Sequence, residues 1–271
     1  MEHKAKSVDP HDPNRDVMYQ VSLLQGLTYG DYCGSVTVKE LKQHGDIGIG
    51  TFDGLNGELI MLDGEAYRAA GDGNVELVSD RVTVPFSVVT FMDADERKDL
   101  KEISDFDALC SELDRMVEKR GKNRFYMIRI DGMFREVNVR SVYAQEGPYK
   151  RLAEVMETDQ TFYDYENTEG TIVGLYCPPY MAALNAVGWH LHFISKDKTK
   201  GGHVLGLKIA DAVLTWDDTD AFQMRLPQND MFSGFDLTVD QSKDIEKIER
   251  TVKDEASLND TLIETIPDAA E

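Results

Sequence analysis

The chain has 271 residues, of which 41% are hydrophobic and 9% aromatic, so it is long and apolar enough to fold around a sizeable core and is not typical of a disordered protein. Its formal net charge of −21 disfavours nucleic acid and anionic membranes as partners, because both would repel it, and an anionic substrate would need local positive charge. Residues 1–16 lack the apolar run of a signal peptide, no stretch of about 18 apolar residues occurs, and the three cysteines are widely spaced, so we expect a cytoplasmic protein with three buried thiols.

The first half of the chain is predicted to consist mainly of strands and tight turns. Residues 1–17 are expected to be a flexible tail. Alternating runs flank Asp63-Gly64, and GDGN at 71–74 supplies another turn, which is typical of antiparallel hairpins. The run RFYMIRIDGMFREVNVRSV is interpreted in the same way, as two strands that turn at Asp131-Gly132.

Helices are fewer. SDFDALCSELDRMVEKRGK carries an apolar stripe at helical spacing, with Ser104 as the expected N-cap and Gly121 as the stop. PYKRLAEVMETD predicts a second, shorter helix, and DIEKIERTV has a weak stripe of Ile245, Ile248 and Val252.

The second half adds an apolar strand, TIVGLYC, which should end at Pro178, and a hairpin formed by GWHLHFIS and GGHVLGLKIAD. The predicted fold class is α+β, with two sheet-rich subdomains of mainly antiparallel strands and a few helices. We predict an N-terminal tail at 1–17, a sheet-rich domain at 18–150, a domain carrying the histidine hairpin at 151–253, and an acidic end at 254–271.

The histidines of this hairpin predict a metal site. Side chains at i and i+2 of a strand share a face, so His190 and His192 project together while Leu191 and Phe193 point the other way. The polar link that follows ends in Gly-Gly, and the return strand can bring His203 opposite the pair. Three imidazoles predict Zn(II) or another divalent first-row metal, with coordination positions left open as in catalytic sites.

Other interpretations of the histidines remain at this point. Strand histidines are often satisfied polar residues without a metal, although this spacing favours the metal. The cupin pattern needs a glutamate a few residues after the pair, where Ser195, Lys196 and Asp197 stand instead.

Patterning alone does not select the charged partners of such a site. Glu58 begins the apolar run ELIML and is equally compatible with a buried carboxylate and with an exposed strand end. Arg140 alternates with valines and is expected to be exposed. Glu246 and Glu249 are expected on a solvated helix face.

Taken together, these stretches resemble the acetolactate decarboxylase family, from about Tyr19 to Glu249. The blocks that carry the resemblance, in order, are YGDYCGSVTVKELKQHGDIGIGTF, GELIMLDGEAYR, FYMIRIDGMF, VRSVYAQEGPY, GTIVGLYCPPY, GWHLHFIS, GGHVLGL and MRLP. The resemblance implies decarboxylation of 2-acetolactate to acetoin and CO2, a divalent metal that is normally zinc, and two-domain, sheet-rich α/β subunits that pair as homodimers.

The resemblance also implies roles for single residues. His190 and His192 match the pair in the family's HLHF block, and His203 matches the histidine of its GGH block, so these three would bind the metal. Glu58 matches the acidic residue of its GEL block, with Thr51, a substrate-binding residue, seven positions earlier.

Two further positions come from the second half of the family pattern. Arg140 matches the arginine that precedes the family's QxxPY block and would bind substrate and take part in catalysis. The family places a glutamate from the C-terminal end near the metal, which alignment through KDIE suggests is Glu249, with Glu246 as the alternative.

The chemistry explains why such residues are needed. Loss of CO2 from acetolactate leaves an electron pair that must flow into the ketone, and a metal that chelates the ketone and hydroxyl oxygens would stabilise the resulting enediolate. Arg140 could bind the carboxylate and later help to protonate C2, a step that water could also perform, while Glu58 could accept the hydroxyl proton or orient that water. The competing predictions are another three-histidine metalloenzyme, such as a cupin-like oxygenase or a hydrolase, and a non-catalytic metal-binding module.

Overall fold

A computed structural model of the chain describes residues 15–239 together with 241, 245 and 248. The strands are β1 (Val17–Val21), β2 (Val36–Thr37), β3 (Ile47–Thr51), β4 (Glu58–Leu62), β5 (Glu65–Ala69), β6 (Val75–Leu77), β7 (Thr83–Val84), β8 (Phe86–Thr90), β9 (Glu96–Ile103), β10 (Phe125–Val142), β11 (Gln160–Cys177), β12 (Gly188–Ser195), β13 (Gly201–Thr219) and β14 (Ala221–Arg225). The α-helices are α1 (Leu24–Thr28), α2 (Val38–Leu41), α3 (Phe106–Arg120), α4 (Leu152–Thr158) and α5 (Asp230–Gly234).

Seven strands form the first sheet, in the order β14-β1-β8-β3-β4-β5-β6. All neighbours in it are antiparallel except β1 and β14. The predicted hairpin around Asp63-Gly64 is confirmed, because β4 pairs with β5 and both turn residues have positive φ. The predicted turn at 71–74 is also confirmed, since it connects β5 to β6.

The second sheet has the order β10-β11-β12-β13-β9, and β10 also pairs with β13. The strands β10 to β13 therefore close into a ring, with β9 added on the outer edge of β13. The predicted histidine hairpin is confirmed as β12 and β13, and TIVGLYC ends β11 at Cys177, directly before Pro178. The predicted α+β class, with mainly antiparallel sheets and few helices, is confirmed.

The predicted turn at Asp131-Gly132 is wrong. β10 passes straight through both residues and pairs with β11 on one side and β13 on the other. The Asp131 carboxylate accepts hydrogen bonds from Arg129 and Thr171, and a Cβ on Gly132 would lie 2.3 Å from the carbonyl oxygen of Asp211. The glycine is needed here for close strand contact and not for a turn.

Helix α3 confirms the predicted apolar stripe and the stop at Gly121, but the predicted N-cap is wrong by one residue. The Asp105 side chain accepts a hydrogen bond of 2.8 Å from the Ala108 backbone N–H, while the Ser104 hydroxyl donates to the Asp105 carboxylate. Asp105 directly precedes the first helical residue, which is the position from which a side chain can reach that N–H. The predicted shorter helix is confirmed as α4.

The main apolar core lies between the two sheets. One cluster combines residues of the first sheet, such as Ile49 and Ile60, with Met127 and Val173 of the second, and another lies within the ring and against α3. Strand pairing crosses the predicted domain boundary near residue 150, since β10 belongs to the same sheet as β11 to β13. The domain division stays a prediction.

Two remaining sequence-based expectations concern thiols and membranes. Cys177 is buried as expected, but Cys33 and Cys110 are only half-buried, and the three cysteines form no disulfide. Among the residues described by the structure, none of the helices has the length and apolar character needed to cross a membrane.

Candidate metal centre and active site

Three buried histidines converge where β12 and β13 pair. His192 lies directly opposite His203 in the strand register, and His190 is two residues before His192 on the same face. Nε2 of His190 lies 3.1 Å from Nε2 of His192 and 3.1 Å from Nδ1 of His203. Leu191 and Phe193 pack into the core on the other side of the strand, as predicted.

The ring orientation of His192 is set by the first sheet. Its Nδ1 lies 2.9 Å from the carbonyl oxygen of Leu59 in β4. Because a carbonyl only accepts, Nδ1 must donate, and the lone pair of Nε2 then faces the other histidines. An imidazole that binds a metal through one ring nitrogen usually donates the N–H of the other to a carbonyl or a carboxylate, as Nδ1 of His192 does here.

Burial keeps the imidazoles of His190 and His192 neutral. It lowers the pKa of His190 to about 3, with a further contribution from the charge of Arg140, and it lowers the pKa of His192 well below its ordinary value. One proton on Nε2 of His190 can make a linear hydrogen bond to only one of its two neighbours. A cation among the three nitrogens would bind the lone pairs that face one another, so the donor set fits a divalent metal.

Glu58 and Thr51 lie beside the histidines at the end of the β3–β4 pair. Glu58 Oε2 is 3.5 Å from Nε2 of His192, and the side chain is only 12% exposed. Of the two environments that the sequence pattern left open, the structure therefore shows the largely buried carboxylate and not the exposed strand end. Thr51 is opposite Glu58 in the register and is buried, with its hydroxyl donating to the carbonyl of Gly57 at 2.8 Å.

Arg140 approaches from β10, directly opposite His203. The exposure expected from its valine neighbours is wrong, since the residue is only 2% exposed. From Val139 to Val142 every residue of β10 is buried, so the alternation of apolar and polar residues does not report a water-facing side there. A Cβ on Gly202 would lie 2.6 Å from the Arg140 carbonyl oxygen, so the Gly-Gly before His203 permits this close approach.

Glu246 and Glu249 lie outside the described residues. Their neighbours Ile245 and Ile248 are helical and buried, in agreement with the predicted stripe, and Val252 also lies outside the described residues. The carbonyl of Ile248 accepts a hydrogen bond from Nη1 of Arg140.

Five of the polar residues named above line one small cavity of about 50 Å³ between the sheets. Its polar lining is Thr51, Glu58, Arg140, His190 and His203. The apolar part of its lining, which sequence reasoning missed, is Leu24, Leu27, Gly50, Leu55, Phe86, Val142, Leu152, Met156 and Ile248. α1 has only five residues, too few to show a helical period, so its leucines carried no signal in the sequence.

A larger cleft of about 760 Å³ reaches His190 and His203 from another direction. It is lined in part by Phe106 of α3, by Trp189 and by Ile245. His190 and His203 therefore line both a small cavity and a larger cleft.

Comparison with known proteins agrees with this architecture. The sequence model of the alpha-acetolactate decarboxylase family matches residues 18–239. A relative of that name from Methanosarcina mazei is 41% identical over 235 residues, which cover 87% of this chain and 81% of the relative. Another from Bacillus subtilis is 37% identical over 233 residues, 86% of this chain and 90% of the relative.

Solved structures agree as well. The crystal structure of alpha-acetolactate decarboxylase from Bacillus subtilis strain 168 superimposes with a TM-score of 0.83 at 36% identity, covering 87% of this chain and all of that chain. A second structure, of acetolactate decarboxylase from Bacillus subtilis subspecies spizizenii, gives a TM-score of 0.82. On this evidence the chain belongs to the alpha-acetolactate decarboxylase family.

Proposed function

We propose that this protein is a carboxy-lyase that decarboxylates 2-acetolactate to acetoin and CO2 in a metal-dependent reaction at the histidine cluster. The observation that carries the proposal is the juxtaposition of three buried histidines with the buried guanidinium of Arg140, which lines one cavity together with His190 and His203. In a chain with a net charge of −21, this arginine supplies the local positive charge that an anionic substrate requires.

The proposed metal is Zn(II), or another divalent first-row ion, held by His190, His192 and His203. When bound there, it supplies a Lewis acid for the ketone oxygen of the substrate. The support for this choice is the set of three nitrogen donors, the carbonyl partner of His192 and the lowered pKa values that keep His190 and His192 deprotonated.

Arg140 is proposed to bind the substrate carboxylate and hold it for cleavage. Its planar fork can donate two parallel hydrogen bonds to a carboxylate, and burial strengthens the pairing. As the bond between C2 and the carboxylate breaks, its electron pair moves toward the ketone oxygen and CO2 leaves. C2 then takes up a proton, which a water molecule held by the guanidinium can donate.

Glu58 and Thr51 are proposed to act on the hydroxyl side of the substrate. Glu58 can accept the hydroxyl proton or orient the water that reprotonates C2. The Thr51 hydroxyl donates to Gly57, so its oxygen remains able to accept a hydrogen bond from the substrate. Glu249, with Glu246 as the alternative, stays a prediction as a further catalytic carboxylate.

Acetoin formation from racemic acetolactate by purified protein tests the proposal. Dialysis against a chelator should abolish acetoin formation, and stoichiometric Zn²⁺ should restore it. Full activity in protein shown to be metal-free would contradict metal dependence, whereas a zinc-loaded protein without acetoin formation would contradict the assigned reaction. Oxygen consumption and ester hydrolysis, measured in parallel, would then indicate one of the other metalloenzyme classes.

Two further proposals concern assembly and location. The family resemblance supports a homodimer, which light scattering of the purified protein can test. The sequence supports a cytoplasmic location, which fractionation of cells that express the protein can test.

A further inference from the structure

In the C-terminal segment, the described residues Val239 and Gln241 contact the short helix α1, and the described residue Ile248 contacts Arg140. We infer that Gln25 and Thr28 of α1 are positioning residues, which hold this segment so that the Ile248 carbonyl orients the Arg140 guanidinium. The inference rests on the proposed function in one respect, because Arg140 matters for turnover only if it binds the substrate.

α1 contacts both the cavity and the segment. All five of its residues are buried, and Leu24 and Leu27 line the cavity that contains Arg140. Its polar side chains bind the segment instead. Nε2 of Gln25 donates to the carbonyl of Val239 at 2.6 Å. The Thr28 hydroxyl lies within hydrogen-bond distance of the side-chain amide oxygen of Gln241 and also of the Gln25 carbonyl in its own helix, at 2.7 Å. Buried polar groups of this kind are costly to leave without partners, so each bond favours the docked segment.

Contacts between the C-terminal part of the chain and the residues next to α1 begin upstream of Val239. Tyr29 stacks on Phe235 with ring centroids 5.1 Å apart, and its hydroxyl donates to the carbonyl of Asp236 at 3.0 Å. Asn229 donates to the carboxylate of Asp31 at 3.1 Å. Contacts with residues 25–31 therefore occur at Asn229, Phe235, Asp236, Val239 and Gln241, so this part of the chain is held at several points.

Downstream, two described residues of the segment lie in the core, and one of them contacts the arginine. Ile245 and Ile248 are buried in the cluster that lies between the sheets, and Ile248 lines the cavity. Its carbonyl accepts from Nη1 of Arg140. A peptide carbonyl is uncharged, so it can fix the plane of the guanidinium without neutralising the charge that would attract a carboxylate.

Gln25→Met tests the inference, because methionine retains the length and bulk of glutamine but cannot donate to Val239. Gln20→Met is the matched control: Gln20 is equally buried, but its amide donates to the carbonyls of Ser22 and Leu184. Thr28→Val and Thr28→Ser form a second pair, in which only serine keeps the hydroxyl. This pair decides the question if Gln25→Met does not fold.

Three readouts are compared under conditions in which every variant is folded. Tryptic cleavage at Lys243, Lys247 and Arg250 reports undocking of the segment. Steady-state kinetics with acetolactate report its effect on turnover. The ¹⁵N signal of the Arg140 side chain, assigned by its loss in Arg140→Lys, reports the orientation of the guanidinium without reference to activity.

Loss of one such hydrogen bond should change the docking equilibrium by about tenfold. We expect Gln25→Met and Thr28→Val to accelerate cleavage and to lower kcat/KM by about that factor each, and to shift the Arg140 signal. Gln20→Met and Thr28→Ser should match the parent protein in all three.

Unchanged cleavage in Gln25→Met would overturn the docking role, and faster cleavage with an unchanged Arg140 signal would overturn the effect on the arginine. Equal effects of Gln20→Met would show a general loss of packing instead. If the parent protein forms no acetoin, the proposed function fails, and cleavage together with the Arg140 signal still decides the inference.

Discussion

At the scale of single residues, Arg140 carries its charge into a cavity whose other lining is largely apolar or neutral. A guanidinium remains protonated at any pH at which the protein is folded, so the positive charge does not depend on its surroundings. A lysine would keep the charge but lose the planar fork that matches a carboxylate. The shape of the donor group can therefore be tested separately from its charge.

Arg140→Lys should lower kcat/KM for acetolactate by about 100-fold while changing the thermal unfolding midpoint little, because the hydrogen bonds that are lost are those between the guanidinium and the substrate carboxylate. Kinetics and thermal unfolding of the same preparation measure both effects. Arg129→Lys is the control, since Arg129 lies on the same strand but pairs with Asp63 and Asp131 outside the cavity. Unchanged kinetics in Arg140→Lys would remove this residue from the reaction.

Asp217 is a second residue whose environment sets a measurable property. It is 1% exposed on β13, and burial, together with the charges of Asp95 and Asp93, raises its pKa to about 7 in spite of a hydrogen bond from the Asp93 backbone. The folded protein therefore binds this proton more tightly than the unfolded chain does. The resulting stabilisation is complete below the unfolded pKa of 3.8 and is lost as the pH rises through about 7.

Asp217→Asn should remove this pH dependence, because an amide stays neutral and its oxygen can still accept from Asp93. Relative to the parent protein, the variant should gain free energy of unfolding between pH 5 and pH 8, on the order of 3 kcal/mol. Urea unfolding at the two pH values measures the difference. A constant difference between variant and parent at both values would contradict the raised pKa.

At the scale of elements, β10 organises the second sheet. It pairs along its length with both β11 and β13, which closes the ring and brings Arg140 opposite His203. The strand tolerates no side chain at Gly132, where a Cβ would lie 2.3 Å from the carbonyl oxygen of Asp211 and 2.4 Å from the Cβ of Ala212. Such contacts require the backbone of one strand to move.

Gly132→Ala should therefore lower the free energy of unfolding by about 2–3 kcal/mol, as overpacking of a rigid site does. Gly234→Ala is the matched control, because a Cβ there meets no atom within 4 Å and the backbone conformation does not require glycine. Urea unfolding of both variants measures the contrast. An equally small effect of the two substitutions would indicate that β10 is not held tightly between its neighbours at this point.

At the scale of the whole molecule, the proposed metal position lies where the two sheets meet. The three histidines belong to the second sheet, whereas the carbonyl of Leu59 and the carboxylate of Glu58 come from β4 of the first. A metal at this position would bind the folded arrangement of both sheets and not the unfolded chain. Binding free energy then adds to the stability of the entire fold.

Adding Zn²⁺ to the chelator-treated protein should raise its thermal unfolding midpoint, with a stabilisation of about 4 kcal/mol when free metal exceeds the dissociation constant a thousandfold. His203→Ala should largely abolish the increase, because two imidazoles bind the ion more weakly than three. Mg²⁺ should have little effect on either protein, since it prefers oxygen ligands. Calorimetry measures the shift, and an equal zinc effect in parent and variant would place the metal elsewhere.

Local patterns were sufficient for several parts of this molecule. Turns such as Asp63-Gly64, the apolar stripe of α3 and the i, i+2 spacing of His190 and His192 depend on neighbours a few residues away, so the sequence alone predicts them. The Gly-Gly before His203 likewise indicates the return strand. Recognition of the family then added Glu58, Thr51 and Arg140, which periodicity did not select.

Other features were decided only by the tertiary structure, because they depend on residues that are distant in the chain. Asp131-Gly132 has the composition of a turn, yet pairing with residues about 40 and 80 positions away keeps it extended. Arg140 alternates like an exposed residue, yet it is buried, with β13 beside it and the carbonyl of Ile248 bound to its guanidinium. The sequence by itself determined which histidines are proposed to bind the metal and the hairpin that carries them. Only the tertiary structure decided that a buried arginine and a carboxylate from another sheet face them, since the free energy of burial depends on the whole surrounding core and not on local sequence.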